Sequence, residues 1–171
     1  ATIRALRERL LRDLHDAVEG EYRLSVSVDN ARLPEALRIR RQRLEAWLDE
    51  RARATKPKDS KAKEAARTRF RLQAEKEAAA TLLNRLVVLR HLETLDLSKP
   101  AVVTGGWNSK GYREYREFAP GLLDDPTEGY AILLRLVFDE WAQDLPGLFG
   151  DVGVTRLIPI PASTLREVVE R

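Results

Sequence analysis

The stretch TLLNRLVVLRHLETLDL, residues 81–97, decides the fold of this chain. Its aliphatic residues fall on most faces of a helix, and a helix that is apolar on most faces lies in a protein core. The preceding residues are rich in Ala, Arg and Glu, which is typical of a helix that faces solvent. We therefore predict one long helix over residues 60–95, with its second half at the centre of the fold.

Outward from this helix, apolar residues at three- and four-residue steps predict four more helices. They cover about residues 2–20, 34–54, 125–146 and 164–171, the last two beginning at the capping patterns of Asp125 and Thr164. Alternating residues in RLSVSVD, 23–29, and the pair Val102–Val103 leave a short β ribbon open as an alternative to extended links. The predicted fold class is mostly α: a bundle of about five helices with a long central helix.

Composition excludes several classes of protein. The 171 residues contain no cysteine, so disulfides, cysteine–zinc sites and thiol catalysis are ruled out. The two histidines lie on separate segments, and no apolar run is long enough to span a bilayer. Strands do not alternate with helices, which argues against a doubly wound sheet. We expect a cytoplasmic protein without a membrane partner.

No catalytic or metal site is predicted. Gly147, Gly150 and Gly153 have the wrong spacing for a dinucleotide or S-adenosylmethionine loop, and no strand precedes them. Asp59 and Lys61 have a spacing found in metal-dependent nucleases, but they lie in a charged linker. Turns and a solvated tip explain these residues better.

Positive charge is concentrated in the first half of the chain. Residues 38–76 hold 14 Lys and Arg against 6 Asp and Glu, a net charge of +8. We predict two antiparallel helices whose tip, TKPKDSKAK at 55–63, includes Lys56. Such a surface attracts phosphates without reading bases, although a solvated helix face explains most charge runs. The candidate DNA backbone contacts are Arg38, Arg41, Arg43, Lys58, Lys61, Lys63, Arg67, Arg69 and Arg71.

Two smaller groups of residues also have two interpretations each. Trp107, Tyr112 and Tyr115 lie in an irregular, glycine-rich loop, where they either form an interaction loop or pin the loop to its own core. Asn84, Arg85 and His91 form a polar set in the leucine-rich central helix. They either bond internally or contact another domain or a ligand.

Two passages resemble a known family. TLLNRLVVLRHLETLDL, 81–97, resembles the "fNRLvaLRfmE" helix of the N-terminal region of large adenine-specific DNA methyltransferases, and LPGLFGDVGVTRLIPIPASTLREVVE, 145–170, is similar to their passage before the methyltransferase domain. VVTGGWNSKGYREYREFAPGLL resembles the loop between those passages. The family includes type IIG restriction–modification enzymes and the BREX and DISARM phage-defence methyltransferases.

The resemblance implies a piece of a larger protein. Family members bind S-adenosylmethionine through a Gly-rich loop and flip adenine into an (N/D)PPY-type site. Neither motif is present, since Asp125-Pro126 is followed by Thr127, and no catalytic residue carries over. Residues 1–74 are then a basic helical leader, and residues 75–171 a helical core domain preceding a missing methyltransferase domain. S-adenosylmethionine is implied for the parent protein and no cofactor for this fragment.

The sequence leaves two functions open. The first is a non-catalytic N-terminal module of an adenine methyltransferase that positions domains and contacts the DNA backbone. Its partners would be DNA, its own C-terminal methyltransferase domain and other defence-system subunits. The second is a protein-interaction adaptor without nucleic-acid contact.

Overall fold

The structure is a computed structural model that describes residues 3–150 and 153–171. It is 73% helical, and the described residues form seven α-helices and no strand. The helices are α1 (Ile3–Tyr22), α2 (Glu35–Ala54), α3 (Ser60–Thr94), α4 (Lys110–Phe118), α5 (Tyr130–Asp144), α6 (Pro146–Phe149) and α7 (Ala162–Glu170). Short 3₁₀ turns lie at Gly106–Asn108, Pro120–Leu122 and Gly153–Leu157.

The mostly helical class is confirmed, but the helix count is higher than about five. The additional helices are α4, from the irregular segment, and the single turn α6. The predicted starts of α5 and α7 were also wrong. The Asp125 carboxylate caps a turn by accepting from the N–H groups of Thr127 (2.6 Å) and Gly129 (3.0 Å), so α5 begins only at Tyr130. Helix α7 begins directly after Pro161, which leaves Thr164 inside the helix.

The β ribbon does not form in the described part of the chain. Residues 23–29 make local turns, in which the Val26 N–H donates to the Arg23 carbonyl at 3.1 Å. The N–H groups of Val102 and Val103 donate instead to the carboxylate of Glu93, at 2.7 and 2.8 Å. Both segments have alternating or β-branched residues, but their backbone groups find partners other than a second strand.

The chain divides into two compact units, one of residues 1–80 and 152–160 and the other of residues 81–151 and 161–171. In the described part of the first unit, α1, α2 and the first 21 residues of α3 surround an aliphatic core. The turn between α2 and α3 is only five residues long, so these two helices form an antiparallel hairpin. Fully or nearly fully buried core residues of this unit are Leu10, Leu14, Val18, Leu44, Leu48 and Ala74.

The second unit is built on the leucine-rich end of α3. Leu82, Leu86 and Leu89 are buried, as the central-helix prediction requires. One strip of the helix nevertheless stays open, with Val87 65% exposed. The other buried residues come from the segments around α4 to α7 and include Tyr112, Tyr130, Leu134, Phe149, Leu165 and Val169.

No helix among the described residues is both long and apolar enough to cross a bilayer.

Candidate nucleic-acid interface

The tip of the α2–α3 hairpin is shaped by two local caps. The Asp59 carboxylate accepts the N–H of Ala62 at 2.7 Å and so caps the start of α3. At the other side of the turn, the Thr55 hydroxyl donates to the Ala52 carbonyl at 2.7 Å. Lys56 follows with a φ of +51°, a left-handed conformation in which glycine is the preferred residue. The turn therefore has a lysine at a position whose backbone conformation favours glycine.

One of the nine predicted contact residues, Arg41, is removed from the set because it is only 2% exposed. Its guanidinium donates to the carbonyls of Tyr22 (2.9 Å), Arg23 (3.0 Å) and Val26 (2.6 Å) and pairs with Glu45 (2.9 Å). These carbonyls end α1 and open the following turn, where no helical N–H can reach them. Arg41 is an internal cap, and it cannot reach a phosphate from this position.

Four more of the predicted cations are held by carboxylates. Lys63 Nζ and Arg67 Nη1 share Asp49 Oδ1, at 3.2 and 3.0 Å. The other two pairs join Arg38 to Glu35 at 2.5 Å and Arg71 to Glu19. Because a neighbouring carboxylate cancels much of their field at a distance, these residues contribute less to attracting an anion.

The remaining four predicted residues are exposed, and two of them, Lys58 and Lys61, lie at the tip. Within the described residues, no ion pair or side-chain hydrogen bond involves Arg43, Lys58, Lys61 or Arg69, and the Arg69 guanidinium lies over the Phe70 ring. Two exposed arginines near the end of α2 that the sequence prediction did not single out, Arg51 and Arg53, are likewise without a carboxylate partner. The sequence signal that could have identified them is their position, two residues apart at the end of α2 and directly before the polar turn.

The charge density is high in the segment that comprises the last turn of α2 and the tip. Residues 51–63 contain six Lys and Arg and one Asp, and that Asp is the cap of α3. Arg53, Lys56, Lys58 and Lys61 project from this segment as exposed, uncompensated cations. Such a cluster creates a positive potential that draws in phosphates and is screened by salt. Exposed ammonium and guanidinium groups of this kind are the side chains that contact phosphate backbones in nucleic-acid-binding proteins.

The predicted interaction loop is buried. The Trp107 ring stacks on Tyr130 with centroids 3.9 Å apart, and its Nε1 donates to the Thr127 carbonyl at 3.1 Å. Tyr112 is fully buried and donates from its hydroxyl to the Glu128 carbonyl at 2.8 Å. Tyr115 is also buried, and burial raises its pKa. These aromatics pin the loop to its own core, which was the alternative interpretation.

A prediction follows for Trp107. Replacing it by alanine is expected to lower the free energy of unfolding by about 3–5 kcal/mol, the usual loss for a buried aromatic residue. Chemical denaturation followed by circular dichroism measures this change. Trp107→Phe keeps a ring against Tyr130 and is expected to lose less than half as much. An alanine variant as stable as wild type would contradict the packing role.

The polar set of the central helix is split between inside and outside. Arg85 donates to the carbonyls of Leu148 (3.0 Å) and Gly150 (2.5 Å), so it bonds internally and holds the segment after α6. Asn84 and His91 are exposed on the open strip of the helix. Internal bonding is thus found for Arg85, and the structure does not bring the three side chains together as one site.

A cluster of titratable side chains lies in the first unit. Glu75 is 1% exposed and accepts from His15 Nδ1 at 3.1 Å, with Arg71 Nε 3.6 Å away. The buried carboxylate thus has an imidazole nitrogen as its hydrogen-bond partner and a guanidinium beside it. The described residues contain no group of three or more His, Asp or Glu that could hold a metal ion.

Comparison with known proteins gives no relative. Neither the protein-family models, nor the curated proteins, nor the solved structures include a match to this chain.

Proposed function

We propose that this chain is a non-catalytic helical module that holds the phosphate backbone of DNA through the tip of its α2–α3 hairpin. The observation that carries the proposal is the set of exposed cations at the tip, Arg53, Lys56, Lys58 and Lys61, none of which has a carboxylate partner among the described residues. Contacts of this kind position a protein on DNA and carry no sequence information.

The wider setting of the proposal rests on the two family-like passages. We place the module in the N-terminal region of a site-specific adenine DNA methyltransferase of a restriction–modification or phage-defence system. There it would hold DNA next to the domain that binds S-adenosylmethionine and flips the base. The passages that support this, 81–97 and 145–170, are helical and leucine-rich, and the support comes from the order and spacing of their residues.

A triple variant of the tip tests the DNA contact. We expect the variant Lys56→Gly/Lys58→Glu/Lys61→Glu to bind a duplex of about 20 base pairs at least tenfold more weakly than wild type at low salt. Each cation that contacts a phosphate releases a counterion from the DNA, and this release favours binding, so each lost contact weakens the complex. Fluorescence anisotropy with a labelled duplex measures this. The substitutions suit the local structure, since glycine fits the φ of residue 56 and Glu near the start of α3 complements the helix dipole.

The matched control carries the same loss of net charge on α1. Arg4→Gln/Arg7→Glu/Arg12→Glu changes three exposed positions of that helix. It is expected to weaken binding by less than threefold, since it alters the overall charge but not the tip. Equal weakening by both triple variants would mean that only overall charge matters. Unchanged binding by the tip variant would refute the proposal.

A second candidate function, protein interaction, is favoured by a different observation. Phe118 at the end of α4 is 91% exposed, and Leu122 four residues later is 46% exposed. An adaptor would use this segment and not the buried aromatic loop. It would show no binding to duplex DNA at low salt, which separates it from the first candidate.

A further inference from the structure

An aromatic and arginine cluster lies on the same hairpin as the cationic tip. Trp47 of α2 meets Phe70 of α3 edge to face, with centroids 6.5 Å apart and planes at 84°. The Arg51 guanidinium carbon lies 5.2 Å from the Trp47 centroid, and that of Arg69 lies 4.9 Å from the Phe70 centroid. We call these four residues the stacking cluster.

The cluster is open to solvent on its cationic side. Arg51 and Arg69 are exposed, and the two rings are half-buried between the helices. Neither arginine takes part in an ion pair within the described residues, so their N–H donors remain available for a ligand. By contrast, the stacked rings of Trp107 and Tyr130 are buried.

We propose that the stacking cluster binds unpaired bases of single-stranded nucleic acid whose phosphates are held by the hairpin tip. This inference rests on the proposed function, because it adds a contact to the same bound strand. Bases stack on aromatic rings and on guanidinium planes, and every base offers such a face, so the contact is tolerant of sequence. Bases within a duplex are already stacked on one another and cannot reach the cluster.

The distance between tip and cluster fits one bound strand. Trp47 lies seven residues before the end of α2, which is about 10 Å along the helix axis. A strand that contacts Lys56 and Lys58 through its phosphates and runs along α2 would bring its next bases within reach of the cluster. Basic residues that track a backbone next to aromatic platforms are the usual arrangement of single-strand binding surfaces.

Arginine over an aromatic ring also occurs without any ligand, since it shields the ring and is itself weakly stabilising. The ligand-binding role differs in one measurable respect: it makes affinity depend on the presence of bases. A structural role leaves affinity dependent on phosphates alone.

The test compares two labelled strands of about twelve nucleotides, one of thymidines and one of abasic sites, which carry the same phosphates. The full chain at low salt is expected to bind the thymidine strand at least tenfold more tightly by anisotropy. Trp47→Leu/Phe70→Leu keeps the charge and is expected to bind both strands with the affinity of the abasic one. If this variant does not fold, equal affinity of the wild-type chain for the two strands still overturns the inference.

The outcomes separate the two proposals. Equal affinity of the wild-type chain for the thymidine and abasic strands would overturn base stacking and leave backbone binding intact. Failure to bind either strand or a duplex would overturn backbone binding itself. Tighter binding to thymidines that survives in the leucine variant would also overturn the inference, since the bases would then be held elsewhere.

Discussion

Arg41→Met is expected to lower the free energy of unfolding by about 3–5 kcal/mol. Methionine fills a similar volume, but it takes the Arg41 donors from the carbonyls of Tyr22, Arg23 and Val26, of which the Arg23 carbonyl still accepts the Val26 N–H at 3.1 Å. Each buried carbonyl without a partner costs on the order of 1–3 kcal/mol, part of which relaxation recovers. Urea unfolding followed by circular dichroism measures the change through its midpoint and slope.

Two controls sharpen the Arg41 result. Arg41→Lys keeps the charge, yet one ammonium cannot reach the three carbonyls that the guanidinium spans, so most of the loss is expected to remain. Arg43→Met changes an exposed arginine two residues along the same helix and is expected to shift stability by less than about 0.5 kcal/mol. A change at Arg41 no larger than that at Arg43 would contradict the internal cap.

Glu93→Gln is expected to cost about 2–4 kcal/mol. Glu93 is 8% exposed, and its Oε1 accepts the N–H groups of Val102 and Val103 while Oε2 accepts that of Thr104 at 2.7 Å. An amide removes the charge from all three bonds and turns one acceptor into a donor that faces an N–H. Hydrogen bonds to a charged group are each worth about 1.5–3 kcal/mol, so their partial loss gives this magnitude.

The control for Glu93 is Glu114→Gln. Glu114 is exposed and pairs with Lys110 only at 3.7 Å, so its replacement is expected to cost less than about 0.5 kcal/mol. Thermal unfolding of both variants measures the difference. If Glu93→Gln unfolds at the wild-type temperature, the carboxylate does not hold residues 102–104 to the end of α3.

The long helix was predictable because its pattern is local and extended. The predicted range 60–95 and the observed Ser60–Thr94 differ by one residue. Segments whose partners are distant in sequence were not predictable. Val102 and Val103 look like a strand until the Glu93 carboxylate takes their N–H groups, and Arg41 looks like a surface residue until its three carbonyl acceptors are known. Periodicity predicts which face of a helix is buried, but it does not predict the hydrogen bonds that its side chains make to other segments.

The candidate interface was predictable in its location but not in its individual residues. A run of basic residues around 55–63 locates the tip, since charge density is a property of the sequence. Which cations stay uncompensated depends on contacts between helices, such as Asp49 with Lys63 and Arg67. The meeting of Trp47 and Phe70, 23 positions apart, likewise requires the hairpin to be formed.

The salt dependence of duplex binding by the unmodified chain tests binding to the phosphate backbone most directly. With four to five uncompensated cations at phosphates, a plot of the logarithm of the association constant against the logarithm of salt concentration is expected to have a slope of about −4. Anisotropy titrations between about 0.02 and 0.2 M salt give that slope. A slope near zero, or no binding at the lowest salt, would contradict the proposal that the α2–α3 tip holds DNA.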